Sequence, residues 1–212
     1  MGELVVTEFM TVDGVAQAPG APGEDTDGGF AYGGWQAPLI DAEAGGLVFD
    51  QAKSMGALLL GRRTYDIFAA YWPTAPAEMD FTRLLNRVPR YVATRTLTDP
   101  LGWEGASVLE GDLAEGVADL KERHGDVHVI GSLDLVQTLL AQGLVDRINL
   151  WVYPVVLGGG KRVFEGGAAP SALRLTTSRV FPNGSLQLTY AWAGEPTVGD
   201  LSQTDGAAGP PR

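Results

Sequence analysis

The sequence predicts an α/β domain in three layers: a mostly parallel sheet, helices on both of its faces, and an antiparallel hairpin at its C-terminal end. Three observations carry this reading. Short, nearly all-apolar runs such as Ala57-Leu58-Leu59-Leu60 and Val127-His128-Val129-Ile130 suit central strands that are covered on both faces. Amphipathic stretches alternate with these runs, as they do where helices pack on a sheet. Near the end of the chain, Pro182-Asn183-Gly184 stands between two strand-like runs, and Asn-Gly in that setting is a hairpin turn signal.

Taken in order, a first strand is expected at 3–9. It leads into Val12-Asp13-Gly14-Val15 and then an irregular segment, 18–34, rich in glycine and proline. A loop of that length in a compact domain is usually functional or unstructured, so it reads either as a lid over the sheet edge or as an inserted surface loop. Next come a helix at 42–54, a strand at 57–60, helices at 64–70 and 79–87, and strands at 90–94 and 106–109. The helix at 112–123 opens on Asp112 as N-cap, with Glu115 in the capping-box position. A strand at 127–130 feeds a helix at 133–142, whose Leu135, Val136, Leu139 and Leu140 recur at helical spacing before Gly143 stops it. Strands at 147–154, 172–180 and 185–192 complete the sheet. From Gly194 onward glycine, proline and polar residues dominate and periodicity is lost. The expected organisation is therefore one domain over 1–193 and a disordered tail over 194–212.

Composition excludes several classes. The 212 residues, 45% hydrophobic and 19% charged, suit one soluble domain. No apolar run approaches the roughly 18 residues of a spanning helix. The N-terminus enters a strand at once and lacks the form of a signal peptide. The absence of cysteine removes disulfides and thiolate chemistry, and with no export signal the expected location is the cytoplasm. A net charge of −11 argues against nucleic acid and anionic membranes as partners. It leaves room for a small phosphorylated ligand held by a few arginines.

Motifs narrow the chemistry further. Gly158-Gly159-Gly160-Lys161 continues into Arg162, so it is not a Walker loop, and no G-x-G-x-x-G follows the first strand. His124 and His128 have no zinc-protease context and read as structural; no metal site is expected. No G-x-S-x-G elbow is present. The positive signals lie at three strand ends: Gly61-Arg62-Arg63-Thr64, Thr94-Arg95-Thr96 and Gly131-Ser132. Ligands of open α/β sheets sit outside the carboxyl ends of the strands. There glycine permits close backbone approach, a helix N-terminus favours an anion, and arginine supplies bidentate phosphate contacts. Each corner alone could be a plain turn, cap or surface charge; their placement after three successive strands is what suggests a ligand with several phosphates.

In order along the chain stand Val12-Asp13-Gly14-Val15, Leu60-Gly61-Arg62-Arg63-Thr64-Tyr65, Val129-Ile130-Gly131-Ser132, Leu144-Val145-Asp146 and the run from Pro154 to Lys161. This set resembles the dihydrofolate-reductase-like superfamily over about residues 3–192. The similarity is to the branch that shares the C-terminal reductase domain of the bifunctional riboflavin deaminase-reductase. The resemblance implies NADPH as cofactor and a small pterin- or aminopyrimidine-like heterocycle as substrate, with an activity like that of 5-amino-6-(5-phosphoribosylamino)uracil reductase or dihydrofolate reductase. It implies that Gly61, Arg62 and Thr64 hold the adenosine phosphates. Thr94 and Arg95 would lie near the adenine ribose and its 2′-phosphate, and Gly131, Ser132 and Leu133 against the pyrophosphate. The stretch from Asp13 to Ala16 would meet the nicotinamide. Gly158 to Lys161 is left as a structural turn or a part of a homodimer contact, and the resemblance also implies a homodimer.

Two departures matter. Serine stands at 132 where the family often has a second glycine. The helix carboxylate of dihydrofolate reductase would fall near Gly45, which has no side chain, so Asp41, Asp13 or ordered water is left as the candidate source of the proton. The stretch 35–50 has carboxylates but no base, which disfavours a phosphorylated substrate. Trp35 and Phe49, with Tyr65 and Trp72, could wall a pocket for a flat heterocycle or belong to the core. The expectation is an NADPH-dependent reductase; the alternative is a non-catalytic NADP-binding dimeric protein.

Overall fold

Strand β1 (Leu4–Thr11) runs through the middle of an eight-stranded sheet in a computed structural model that describes residues 2–165 and 169–200. After it come β2 (Ala57–Gly61), β3 (Arg90–Ala93), β4 (Ala106–Val108), β5 (Val127–Ile130), β6 (Arg147–Tyr153), β7 (Leu173–Val180) and β8 (Leu186–Trp192). The helices are α1 (Ala42–Ala52), α2 (Arg62–Tyr71), α3 (Asp80–Arg87), α4 (Leu113–His124) and α5 (Leu133–Ala141). The strand order is β4-β3-β2-β5-β1-β6-β8-β7. All neighbours are parallel except β6 with β8 and β8 with β7, which form the antiparallel end. The expected strands and helices are all present, and their ends differ from expectation by no more than two residues. Of the expected tail, residues 194–200 carry no helix or strand and 201–212 lie outside the described residues.

Alternation along the strands splits the core into layers. Leu4, Val6, Leu59, Val127 and Val129 face α4 and α5, packing with Val117, Leu120, Val136 and Leu139. Leu58, Leu60 and Val92 point the other way, onto Ala52 of α1, Tyr65 of α2 and Leu84 and Leu85 of α3. A smaller cluster of Trp35, Ala44, Trp151, Tyr153 and Phe181 closes that second face beside β6. The segment 18–34 folds back on itself: Gly34 N–H donates to the Ala18 carbonyl and Gln36 N–H to that of Pro19. Two of its three acidic residues are tied down from outside, since Lys161 Nζ reaches both Asp25 and Asp27 and Arg63 pairs with Asp27, while Glu24 accepts the Gly20 and Ala21 N–H groups within the segment.

Candidate functional site

The strand order decides where a ligand can lie. From β1 the chain crosses to one side of the sheet through α1, and from β5 it crosses to the other through α5, with β1 and β5 side by side. The loops leaving these two strands therefore diverge, which opens a crevice at their carboxyl ends. The last pair in the β1–β5 register is Thr7 with Ile130, and Gly131 N–H donates to the Thr7 carbonyl as β5 turns away. A cleft of about 1750 Å³ opens there and extends over the ends of β2 and β3. Pockets for one small ligand measure roughly 300–1,000 Å³, so this cleft has room for more than one.

The strand ends with glycine and base meet in this cleft. Ala16, Gly61, Arg62, Thr64, Thr94, Arg95, Gly131, Ser132 and Leu133 all line it. The backbones of β2 and α5 approach so closely at Gly61 that an added Cβ would stand 3.3 Å from that of Ser132. Ser132 Oγ accepts the Gly61 N–H at 2.9 Å, joining the two corners. Gly131 (φ 65°) and Ser132 (φ 69°, ψ 52°) are consecutive left-handed residues ahead of α5. Glycine adopts that conformation freely and other residues rarely do, so Gly131 meets a backbone requirement that Ser132 meets only with strain. Arg62 reaches Asp66 at 3.1 Å and Thr96 Oγ1 at 2.7 Å, whereas Arg95 is exposed and forms no ion pair among the described residues. Thr94 Oγ1 accepts the N–H groups of Thr96 and Leu97 and holds the Arg95 turn in shape.

The model of the RibD C-terminal domain matches residues 3–186, most of the chain and all of this site. The chain belongs to the RibD C-terminal domain family. YyaP of Bacillus subtilis (strain 168), an uncharacterized protein, is 30% identical over 149 residues, 68% of this chain and 78% of YyaP. Among solved structures, a putative riboflavin biosynthesis protein from Shewanella sp. PV-4 superposes with a TM-score of 0.67 at 22% identity, over 90% of this chain and 99% of that one. Dihydrofolate reductase from Enterococcus faecalis, complexed with NADP(H), superposes at 0.57 and 16% identity, over 90% and 96% of the two chains. These likenesses establish a dihydrofolate-reductase-like fold for this RibD C-terminal domain.

The two candidate proton donors lie away from the lining of the cleft. Asp41 is the N-cap of α1, its carboxylate accepting the Ala44 N–H at 2.8 Å. Asp13 is a clamp. It accepts from Thr11 Oγ1, from Leu157 N–H at 3.3 Å and from Gly158 N–H at 2.8 Å. The Thr11 hydrogen bond, helped by those two amides, holds its carboxyl at about 2, so it carries no proton to give near neutrality. Both carboxylates thus have structural partners outside the cleft lining, Asp41 as a helix cap and Asp13 as a turn clamp, and helix capping and turn formation draw on the same residue types as acid catalysis.

Of the four aromatic residues that could wall a pocket or belong to the core, Trp72 lines the cleft and Trp35, Phe49 and Tyr65 do not. Trp35 is core, edge-on to Tyr153 at 5.7 Å, with its indole N–H on the Gln17 carbonyl. Phe49 packs on the cluster beneath α1 to α3 and under Lys53, outside the cleft. Tyr65 is core, its hydroxyl accepting the Trp103 N–H. Trp72 does line the cleft, with Phe68 and Phe81 packed against it, and Phe9 of β1 adds a further ring. His128 is buried and held near 4 chiefly by burial, with Ser54 beside it at 3.4 Å. A residue not among the candidates, Glu8, also lines the cleft. It is 2% exposed and its Oε1 has no hydrogen-bond partner among the described residues. The signal for it was present: a lone carboxylate inside the run Leu4 to Met10.

Proposed function

We propose that this chain is a reductase that binds NADPH across the carboxyl ends of β3, β2 and β5 and transfers hydride to a small pterin- or aminopyrimidine-like heterocycle. The observation that carries the reading is that the three strand-end corners and Ala16 line one cleft at the diverging ends of β1 and β5. The residues present suit a dinucleotide. Gly131 and Ser132 bring backbone to the start of α5, where a pyrophosphate is favoured. Ser132 Oγ uses one of its two lone pairs to accept the Gly61 N–H and keeps its own proton to donate. Arg95, unpaired among the described residues, supplies a guanidinium for a 2′-phosphate. The cofactor, when bound, would supply the hydride; the protein supplies orientation and a water-poor cleft at the β1–β5 divergence, whose α2 side carries Phe68 and Trp72. The working form is a cytoplasmic homodimer, whose mass sedimentation of the purified chain would read directly.

Calorimetric titration with NADPH and, separately, with NADH tests the cofactor site. Micromolar NADPH affinity, at least about tenfold tighter than for NADH (a difference of roughly 1.4 kcal/mol), is expected. Binding of neither would overturn the reading. NADPH oxidation against a panel of pterins and aminopyrimidines then tests turnover. Tight binding without turnover would leave a non-catalytic NADP-binding protein.

A further inference from the structure

Glu8 is the one carboxyl side chain of β1's middle, and its place in the sheet is unusual. The β1–β5 register ends at Thr7 with Ile130, so Glu8 is the first β1 residue beyond the last contact with β5. It stands at the point where the two strands separate and the cleft begins. Alternation puts it on the face of Leu4 and Val6, toward α5, where Ala16, Ser132 and Leu133 line the same cleft. The side chain is 2% exposed, yet its Oε1 has no partner among the described residues. Leaving a buried polar atom unpaired is costly, and such an exception calls for a functional account.

Among the described residues, no charged group on the neighbouring elements pairs with Glu8. From β5 comes His128, which points to the opposite face. From β6 comes Arg147, at the far end of that strand and paired with Glu3 and Asp126. From α5 comes Asp134 in the first turn. From α4, Lys121 is taken by Asp146, and from the turn after β6, Lys161 is taken by Asp25 and Asp27. Burial alone raises the Glu8 carboxyl, to about 8, so it is a neutral acid at physiological pH.

We propose that Glu8 is the proton donor of the reduction, a catalytic acid on β1 in place of the two carboxylates that the fold uses elsewhere. The inference rests on the reductase reading above and specifies its substrate: a neutral heterocycle with a C=N bond whose nitrogen faces the β1–β5 crevice. In the step, the substrate carbon takes a hydride from the dihydronicotinamide, and the C=N π pair moves to nitrogen. That nitrogen takes the Glu8 proton, leaving a Glu8 carboxylate, an amine product and an oxidised cofactor. Solvent reprotonates Glu8 once the product leaves.

The test uses the full chain and Glu8→Gln, which keeps size and a hydrogen-bond donor but has no proton to give. With a heterocycle that the wild type reduces, turnover should fall by about 100-fold or more, the usual scale of general-acid catalysis. NADPH affinity should stay within about twofold, since the side chain is neutral in both proteins. The wild-type rate should fall above about pH 8, and the variant should lack that limb. Carbon-13 NMR of labelled glutamate should show one carboxyl titrating near that pH, absent from the variant. Turnover and pH profile unchanged in Glu8→Gln would overturn the donor role and leave the reductase reading standing. No turnover by the wild type on any heterocycle would overturn both. If the variant did not fold, a wild-type profile flat through pH 8 with no titrating carboxyl would overturn the donor role on its own.

Discussion

Single residues show both how far a sequence motif reaches and where it stops. Arg62 and Arg95 both line the cleft, and their surroundings rank them. Arg62 is shared with Asp66 and Thr96, while Arg95 stands without an ion pair among the described residues. Replacing Arg95 by Ala should weaken NADPH by about 1.5–3 kcal/mol, the scale of a hydrogen bond to a charged group, and should weaken NADH much less. Arg62→Ala should cost less than Arg95→Ala, because Asp66 already competes for its guanidinium. Calorimetry on the two variants gives both numbers, and an Arg95→Ala protein with wild-type NADPH affinity would remove that residue from the site. The carboxylates were not legible in the same way. Asp13, Asp41 and Glu8 are one chemical type in the sequence, and only three-dimensional partners separate a clamp, a cap and a buried acid whose Oε1 has no partner among the described residues. Trp35 stayed open between pocket and core for a related reason: an aromatic ring on a loop reads alike whether it faces a ligand or Tyr153.

At the scale of elements the sequence was much more legible. Local signals mark them: Asp112 caps α4 through the Ala114 N–H, and Leu135, Val136, Leu139 and Leu140 of α5 are buried together. Asn183-Gly184 lies between β7 and β8 with Gly184 at a φ of 83°. These features depend on neighbours a few residues away, so periodicity and turn chemistry reveal them. The bond between the corner after β2 and the corner after β5 was not foreseeable, because Gly61 and Ser132 are far apart in sequence. That bond makes position 132 a compromise. Serine bears a left-handed backbone, costing roughly 1–2 kcal/mol against glycine, and recovers stability by accepting the Gly61 N–H. Ser132→Ala keeps the strain and loses the acceptor, so it should destabilise by about 1–3 kcal/mol. Ser132→Gly loses the acceptor and the strain together, so it should be the milder change. Urea denaturation of the pair reads the order, and an alanine variant as stable as the glycine variant would refute this account of the corner.

For the whole molecule, the strand order was the part that sequence could not supply, since it depends on which non-local edges pair. That order places Glu8 and His128 in the interior, on opposite faces of the sheet, and their titration shapes the stability of the entire domain. Asp13 has a folded pKa of about 2 against a normal 3.8, so its contribution is present above 3.8 and is lost as pH falls toward 2. His128 has a folded pKa of about 4 against 6.5; the unfolded chain binds the extra proton in that window, so stability rises with pH from 4 to 6.5. Glu8 works in reverse. Its folded pKa of about 8 against 4.5 means that the native state holds the extra proton, so stability falls with pH from 4.5 to 8. Between 4.5 and 6.5 the two interior groups oppose each other and the stability should be nearly flat. Below that window His128 and then Asp13 lower it, and above 6.5 Glu8 acts without His128 to offset it. Wild-type thermal midpoints should therefore decline between pH 6.5 and 8, a range in which many proteins are near their most stable. Glu8→Gln should abolish that decline and expose the rise due to His128 between 4.5 and 6.5, because the amide cannot ionise. Thermal unfolding of both proteins across pH 4 to 9 checks the argument, and a wild-type midpoint that holds level to pH 8 would mean that Glu8 is not a buried neutral acid.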